Sequence, residues 1–328
     1  MWSLLYLILG IAVVIKSADY IISGAASLSL RFKLSPLIIG LTIVSLGTTA
    51  PELFIAITSA VEGETQIALG NSIGSNIANM LLVLGVAAFI HPLKLKHNIT
   101  WKQLPMALVA PVLLLILSPN RQFDKNILSL DTLFSKIEVG VLSTRNGLIL
   151  LLFFVIFLFY TILQKTKVEK RILNIKKFPL KKSLFLILIG FIGLTAGSKM
   201  TVDNAVELAK VFNVTNTLIG LTLIAVGTSL PELVTAITAS FKRQSDIAVG
   251  NILGASAFNI LLALGAASLI RSVPITGINY ADAFILVVVT LVTIGTLVFF
   301  KRHEVTRKGG VFLLSLYVIY LIFIILRG

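Results

Sequence analysis

Two glutamates stand out in this sequence because each lies in the middle of a long apolar segment. Glu52 follows Gly-Thr-Thr-Ala-Pro, and Glu232 follows Gly-Thr-Ser-Leu-Pro. A carboxylate at the centre of a membrane costs roughly 2.5 to 3.5 kcal/mol, so a pair of them needs a compensating charge. Neither segment has a basic residue at that depth. The compensation must therefore come from outside the chain, as a cation or a proton.

The prolines in front of the glutamates add backbone oxygens. Proline inside a helix lacks an N–H group and opposes the preceding turn, so carbonyls near Gly47 and Gly227 lose their hydrogen bonds. In hydrocarbon such carbonyls must find another partner, and a bound cation is one. Hydroxyl groups next to the prolines supply further oxygens, at Thr48, Thr49, Thr228 and Ser229.

A second motif supplies neutral oxygens on the apolar segment that follows each glutamate. Ser75 and Asn79 are four residues apart, which places them on one face of a helix. The second copy keeps Asn259 in place of Asn79 but has Ala255 in place of Ser75, so the two sites cannot be chemically equal. With carboxylate, hydroxyl, amide and carbonyl oxygens and no His or Cys, the set favours a hard cation such as Ca2+ or Na+.

Structural explanations compete with ion binding at several of these positions. Glycine, serine and threonine at membrane-helix interfaces usually serve packing, and asparagines often hydrogen-bond between helices. For Asn71 and Asn251, capping or helix linkage explains the residue at least as well as ion binding does. Intramembrane glutamates are different, because their default interpretation is functional.

Both motifs belong to a duplicated stretch of 46 residues. Gly40 to Gly85 aligns without a gap to Gly220 to Gly265, and 21 of the 46 positions are identical. The identities fall on Gly, Pro, Thr, Asn and Glu as well as on apolar residues, so shared hydrophobicity does not explain them. The sequence therefore contains an internal repeat.

The composition predicts a polytopic membrane protein of the all-α class. Hydrophobic residues make up 57% of the chain and charged residues 13%, and the mean hydropathy is +1.00. A membrane-spanning helix needs about 20 apolar residues. Apolar runs predict ten transmembrane helices, at about 2–23, 34–60, 66–90, 104–119, 147–164, 183–202, 214–240, 246–270, 280–300 and 310–327.

Counting these spans predicts that the repeats are inverted. Equivalent positions are separated by five crossings, an odd number, so the two copies run through the membrane in opposite directions. We expect two inverted five-helix repeats, 1–164 and 183–328, joined by a basic linker at 165–182. The ion-binding segments are then 40–85 and 220–265. Inverted repeats with a site at the membrane midplane are typical of secondary transporters.

The basic residues predict the orientation of the chain. The net charge is +14, and the linker alone holds eight of the 28 Lys and Arg residues. If the linker is cytoplasmic, 20 of the 28 lie on that side, as the positive-inside rule expects. We therefore expect an integral protein of the cell membrane with both termini outside. This distribution argues for the lipid bilayer and against nucleic acid as the partner, and we expect the monomer to be functional.

The paired motifs GT(T/S)xPE and GNxxG resemble the repeats of sodium/calcium exchangers in the cation/Ca2+ exchanger superfamily, and the ten-helix layout resembles its prokaryotic members. The resemblance implies that three Na+ exchange for one Ca2+ at overlapping cation sites. Asparagine at both 79 and 259 is similar to the potassium-independent members. The implied ligands are the carboxylates of Glu52 and Glu232, oxygens of Thr48, Thr49, Thr228 and Ser229, the carbonyls of Ser45 and Ala225, and the side chains of Ser75, Asn79 and Asn259.

Three functions remain open on the sequence. An electrogenic Na+/Ca2+ antiporter is the first, and a Ca2+/H+ antiporter of the same fold is the second, because desolvated carboxylates also attract protons. A cation channel is the third, but a channel does not need inverted repeats. We expect no enzyme activity, since no nucleophile and base are paired at membrane depth, and no cofactor, since Ca2+ and Na+ bind as substrates.

Overall fold

The structure is a computed structural model, and it describes residues 2–94, 97–118, 138–163, 177–211, 225–299 and 304–327. Helices dominate it, as the composition predicts. The helices of the first repeat are α1 (Trp2–Phe32), α2 (Pro36–Thr48), α3 (Ala50–Glu62), α4 (Thr65–Ile90), α5 (His97–Leu117) and α6 (Thr144–Leu163). Those of the second are α7 (Leu180–Val211), α8 (Ala225–Thr228), α9 (Leu230–Phe241), α10 (Ser245–Ile270), α11 (Gly277–Phe299) and α12 (Arg307–Arg327).

These helices form a membrane protein. Within the described residues, seven helices are long and apolar enough to cross a membrane, and the bent pair α2–α3 can form an eighth span. Shorter apolar helices, Met106–Leu117 and Leu230–Phe241, lie where the fourth and seventh spans are expected. Large apolar side chains such as Phe159 and Ile319 are exposed, as a lipid-facing surface requires. The fold class is confirmed, while the count of ten spans remains a prediction.

Two expected helix ends are wrong. The first helix continues past residue 23 to Phe32, and α7 continues past residue 202 to Val211. Hydropathy measures how long a segment is apolar, whereas a helix ends where the backbone is broken. For α1 the break comes at Lys33, which has a positive φ of 54°, and just before Pro36. Most of the expected linker, 165–176, lies outside the described residues, as does the start of the second ion-binding segment, 220–224.

The helix in front of each glutamate is broken at a hydroxyl residue. Thr49, with φ −88° and ψ 4°, separates α2 from α3, and the two helices meet at an angle of 48°. Ser229, with φ −88° and ψ 6°, separates α8 from α9 in the same way. Pro51 and Pro231 cause the break, because neither can donate the backbone hydrogen bond that would continue the helix.

Wide helical turns occur close to the two breaks. Gly40–Val44 in α2, Asn79–Val83 in α4 and Phe258–Leu264 in α10 are π-helical. Such turns are rare and are frequently found at functional sites. Asn79 begins one of these turns and Asn259 lies in another, so both asparagines sit where the helix is locally widened.

The inverted relation is visible in the packing of α1 against α7. Gly10, early in α1, lies beside Thr201, late in α7, whereas Gly24 lies beside Ser183. The two helices therefore run antiparallel, as equivalent helices of inverted repeats must. A glycine at each contact lets the backbones approach closely.

Four short strands join the repeats: β1 (Leu93–Lys94), β2 (Glu138–Leu142), β3 (Val273–Thr276) and β4 (Glu304–Val305). They form two antiparallel pairs, β1 with β4 and β2 with β3. Leu93 is opposite Val305 and Leu142 is opposite Val273, and all four side chains are fully buried. Each pair therefore ties one repeat to the other.

Candidate ion-binding site

The two glutamates lie together in the interior of the protein. Glu52 is 1% exposed and Glu232 is 0% exposed, and each carboxylate is within electrostatic reach of the other. None of their four carboxylate oxygens has a hydrogen-bond partner. Both residues lie in the first turn of a helix, α3 and α9, where the helix dipole favours negative charge.

No basic side chain of the described residues neutralises these carboxylates. Two ion pairs of that part of the chain lie elsewhere, Lys242 with Asp19 and Arg327 with Asp282. Two buried, unpaired carboxylates that repel each other are costly in a low-dielectric interior. A cation between them would remove that cost.

Neutral oxygens without partners lie on the helices that pack against α3 and α9 and at the break before Glu232. The side chains of Ser75, Asn79, Ser229 and Asn259 are buried, and each has an oxygen with no hydrogen-bond partner. Buried polar groups are normally hydrogen-bonded, so a cluster of unpartnered oxygens needs an explanation. Ion coordination provides one, because a bound cation satisfies every oxygen that faces it.

The oxygens of the first broken helix are in part already engaged. The carbonyl of Ser45 accepts bonds from the hydroxyl of Thr49 at 2.6 Å and from its backbone N–H at 2.9 Å. The Thr48 hydroxyl donates to Oδ1 of Asn251 at 3.0 Å and also lies beside the Glu232 carboxylate. Hydroxyls that donate keep lone pairs for a cation. A cation at the Ser45 carbonyl would instead compete with both Thr49 donors and with the Thr48 hydroxyl, which lies 3.3 Å from the same oxygen.

The second broken helix differs from the first. The hydroxyl of Ser229 has no hydrogen-bond partner, whereas the hydroxyl of Thr49 donates to the Ser45 carbonyl. Thr228 is half-buried, and Ala225 begins α8. Ala255, fully buried, has no hydroxyl to offer where α4 has Ser75. The two halves of the site are thus chemically unequal, as the sequence indicates.

Asn251 has a role that sequence reasoning left undecided. The residue is fully buried, its side chain accepts the Thr48 bond, and its backbone carbonyl accepts a bond from the Ser45 hydroxyl at 3.0 Å. It therefore links α10 to the broken helix on the side where Thr48 faces Glu232. The signal that could have found it is the repeated GNxxG motif.

Glycines bring α10 against α2 at this link. A Cβ on Gly250 would lie 2.5 Å from the carbonyl oxygen of Leu37, and a Cβ on Gly254 would lie 2.5 Å from that of Leu41. Real side chains do not approach a carbonyl so closely, so only glycine permits this packing. No atom of the described residues would lie within 4 Å of a Cβ at the equivalent glycines on α4, Gly70 and Gly74.

The chemistry of the site fits hard cations. Its donors are carboxylate, hydroxyl and amide oxygens, the ligands that Ca2+ and Na+ prefer. No group of three or more His, Cys, Asp or Glu side chains gathers within the described residues. A transition-metal site of that kind is therefore not found in this part of the chain.

The chain matches known proteins over nearly its whole length. The sequence model of the family described as "Sodium/calcium exchanger protein" matches residues 2–163 and 182–326. The inner membrane protein YrbG of Escherichia coli is 32% identical over 325 residues, which cover 96% of this chain and 94% of that protein. The sodium/calcium exchanger MaX1 of Methanosarcina acetivorans is 27% identical, with 97% of each chain covered.

A solved structure is also similar. The sodium-calcium exchanger NCX_Mj, soaked with zero Na+ and Ca2+, superposes with a TM-score of 0.78 at 26% identity, and 97% of each chain is covered. The same exchanger soaked with 2.5 mM Na+ and 1 mM Sr2+ gives a TM-score of 0.78 at 28% identity, with 98% of each chain covered. The likeness therefore extends to both halves of the fold.

Proposed function

The chain belongs to the sodium/calcium exchanger protein family, and we propose that it exchanges Na+ for Ca2+ through the cluster around Glu52 and Glu232. Na+/Ca2+ antiport is the activity that family membership gives the chain. The proposal assigns that activity to particular residues and to a mechanism.

One observation supports the assignment above all others. Glu52 and Glu232 are fully buried, their four oxygens are unpartnered, and no base of the described residues faces them. The remaining proposed ligands lie on the two broken helices or on α4 and α10, which pack against them: Ser45, Thr48, Thr49, Ser75, Asn79, Ala225, Thr228, Ser229 and Asn259. Together they offer several overlapping sets of oxygens.

Charge balance couples the two ions in this proposal. One Ca2+ neutralises both carboxylates, and several Na+ ions can do so together by dividing the oxygens among them. An empty site leaves two ionised carboxylates in a low dielectric, which makes its rearrangement across the membrane costly. The protein therefore changes the side on which it opens only when loaded, and efflux of one ion requires influx of the other.

We propose that the exchange is electrogenic and independent of K+. If three Na+ move against one Ca2+, each cycle carries one net charge, worth about 2.3 kcal/mol per 100 mV. An inside-negative potential then drives Ca2+ out of the cell. K+ independence rests on Asn79 and Asn259, since neither position adds a third carboxylate to the site.

The inverted halves provide the route for alternating access. Two similar packings of opposite direction can exchange, so that the site opens first to one face and then to the other. We propose repeats at 1–164 and 183–328, a cytoplasmic basic linker at 165–182, both termini outside the cell membrane, and a functional monomer. The excess of Lys and Arg in the linker supports this orientation.

The test is 45Ca uptake into proteoliposomes with Na+, K+ and H+ gradients imposed one at a time. We expect uptake driven by the Na+ gradient, indifferent to K+, and abolished in Glu52→Gln and in Glu232→Gln. Glu138→Gln, at an exposed strand position, is the matched control and should transport normally. Uptake driven by a pH gradient alone would establish the Ca2+/H+ antiporter instead, and downhill flux without any counter-ion would establish a channel.

A further inference from the structure

One ion pair fastens α1 to α9 near one end of the bundle. Lys242, directly after α9, lies with Nζ 2.5 Å from a carboxylate oxygen of Asp19 in α1. The same amine donates to the Ser23 hydroxyl at 2.8 Å. We call this arrangement the first latch. It lies outside the ion-binding site and has no role in the mechanism described above.

The internal repeat gives each latch residue an equivalent. The repeat offset of 180 residues relates Asp19 to Lys199 and Lys242 to Glu62. Contacts between α1 and α7 support the same offset there, since Gly10 lies beside Thr201 and Gly190 lies beside Ile21. At this offset Gly10 is equivalent to Gly190 and Ile21 is equivalent to Thr201, so the two contacts are equivalent to each other.

The charges of the equivalent pair are reversed, but the attraction is kept. In the first pair the acid, Asp19, is on α1 and the base, Lys242, follows α9. In the equivalent pair the base, Lys199, is on α7 and the acid, Glu62, ends α3. Because α3 and α9 run in opposite directions, these ends lie on opposite faces of the membrane. Preserving opposite charges while both signs change is the pattern expected of two functional ion pairs.

Only the first pair is formed in this structure. Glu62 and Lys199 are both exposed, and neither takes part in an ion pair within the described residues. The helices that carry the two pairs also differ in their packing. α1 packs along α9, whereas α7 makes no comparable contact with α3. The helix pair α1–α7 therefore sits towards the face where Lys242 lies.

We propose that Lys242–Asp19 and Glu62–Lys199 are alternative latches for the two conformations of the transport cycle. The close glycine contacts make α1 and α7 move as one body. When that body shifts towards the opposite face, the first latch opens and the second closes. The proposal rests on the proposed function, because alternating access requires two such conformations.

The neighbouring charges explain which latch is closed here. Lys242 faces one carboxylate and a neutral hydroxyl, whereas Asp203 stands at the position equivalent to Ser23. In the second latch, Lys199 would be shared between Glu62 and Asp203, and the two acids would repel each other. The second latch is therefore the weaker, as expected if the first is favoured in the resting protein.

Cross-linking can test the proposal because the chain contains no cysteine. One double variant is Asp19→Cys with Lys242→Cys, and the other is Glu62→Cys with Lys199→Cys. A short bifunctional methanethiosulfonate reagent should link the first pair in the resting protein and the second pair only during Na+/Ca2+ exchange. Each link should stop 45Ca flux, and a reducing agent should restore it.

Charge exchange provides a second measurement that does not depend on cross-linking. Lys242→Gln should shift the ratio of the two conformations, measured from the second cross-link, by about two- to five-fold, since half-exposed ion pairs are weak. Asp19→Lys combined with Lys242→Asp should restore the original ratio. Lys181→Gln, which removes an exposed lysine of α7 remote from both latches in sequence, is the control and should leave the ratio unchanged.

Two results would overturn the latch proposal. One is failure of the Glu62–Lys199 pair to cross-link under every ion gradient in a protein that transports, and the other is full transport while either link is closed. Both would leave Na+-driven 45Ca uptake intact. Loss of the Na+ dependence itself would instead refute the proposed function, so the two failures are distinguishable.

Discussion

A matched pair of glycine substitutions tests whether the two halves of the protein exchange their packing. Gly254 on α10 and Gly74 on α4 are equivalent in the repeat, but their surroundings differ. A Cβ on Gly254 would lie 2.5 Å from the Leu41 carbonyl oxygen and would overlap the Ser45 hydroxyl. A Cβ on Gly74 would meet no atom of the described residues within 4 Å.

The magnitudes follow from this geometry. Carbon and oxygen approach to about 3.3 Å at closest, so Gly254→Ala must push α2 and α10 apart by close to 1 Å. Overpacking costs about 1 to 3 kcal/mol, and a clash with a backbone carbonyl falls in the upper part of that range, about 2 to 3 kcal/mol, because backbone yields less than a side chain. The gain in helix propensity returns about 1 kcal/mol. We therefore expect Gly254→Ala to destabilise this conformation by about 1 to 2 kcal/mol. Gly74→Ala should stabilise it slightly.

Transport should respond differently from stability. Gly254→Ala displaces Ser45, and with it the helix break at Thr49, so exchange should fall with stability. In Gly74→Ala the protein should unfold at an unchanged or higher temperature but exchange more slowly. The reason is that the opposite conformation places Gly74 where Gly254 is packed now.

Thermal unfolding in detergent and 45Ca flux in proteoliposomes measure the two properties on the same preparation. Normal transport in Gly74→Ala would refute the reasoning, whatever its stability, because the opposite conformation would then not use that glycine as a contact. A Gly254→Ala variant as stable as the parent would show that α2 does not pack against α10 as described.

Two further predictions concern the ion site. Asn251→Ala removes the acceptor of the Thr48 hydroxyl and should raise the Ca2+ concentration for half-maximal uptake by about tenfold, the effect of a buried bond worth about 1.4 kcal/mol. The control is Asn76→Ala, at another buried asparagine of the bundle. An equal effect of Asn76→Ala would contradict a specific link between Asn251 and Thr48. Ala255→Ser restores the hydroxyl that α4 has at Ser75 and should lower the Na+ concentration for half-maximal exchange while changing that for Ca2+ less; unchanged Na+ dependence would place residue 255 outside the ion path.

Much of the fold follows from the sequence because its signals are strong in a membrane. Proline and glutamate are so unfavourable inside an apolar segment that Pro51 and Glu52 mark a broken helix and a charged site by themselves. Their recurrence at Pro231 and Glu232 then gives the inverted relation by counting crossings. The membrane fold and the family are confirmed, whereas the ligand set and the repeat boundaries remain predictions.

Other features could not be predicted because they depend on packing. Hydropathy does not mark Phe32 as a helix end, since apolar character fades long before the backbone breaks at Lys33, and Pro36 is the local signal of that break. The partner of Asn251 depends on which helix lies against α10. Above all, two copies of one motif predict equal surroundings, yet Gly254 packs against α2 while none of the described residues packs against Gly74. That difference belongs to a conformation, which sequence patterns do not specify.

The strand pairs impose an order on the making of the protein. Leu93 is paired with Val305, and Leu142 is paired with Val273, so neither half contains its own strand partners. During synthesis β2 stays unpaired until the chain has been made as far as β3, and β1 stays unpaired until β4 has been made, when only the last helix is still missing. A truncated chain ending at the linker would therefore expose two open strand edges at the membrane surface, and the separately expressed halves should recognise each other there.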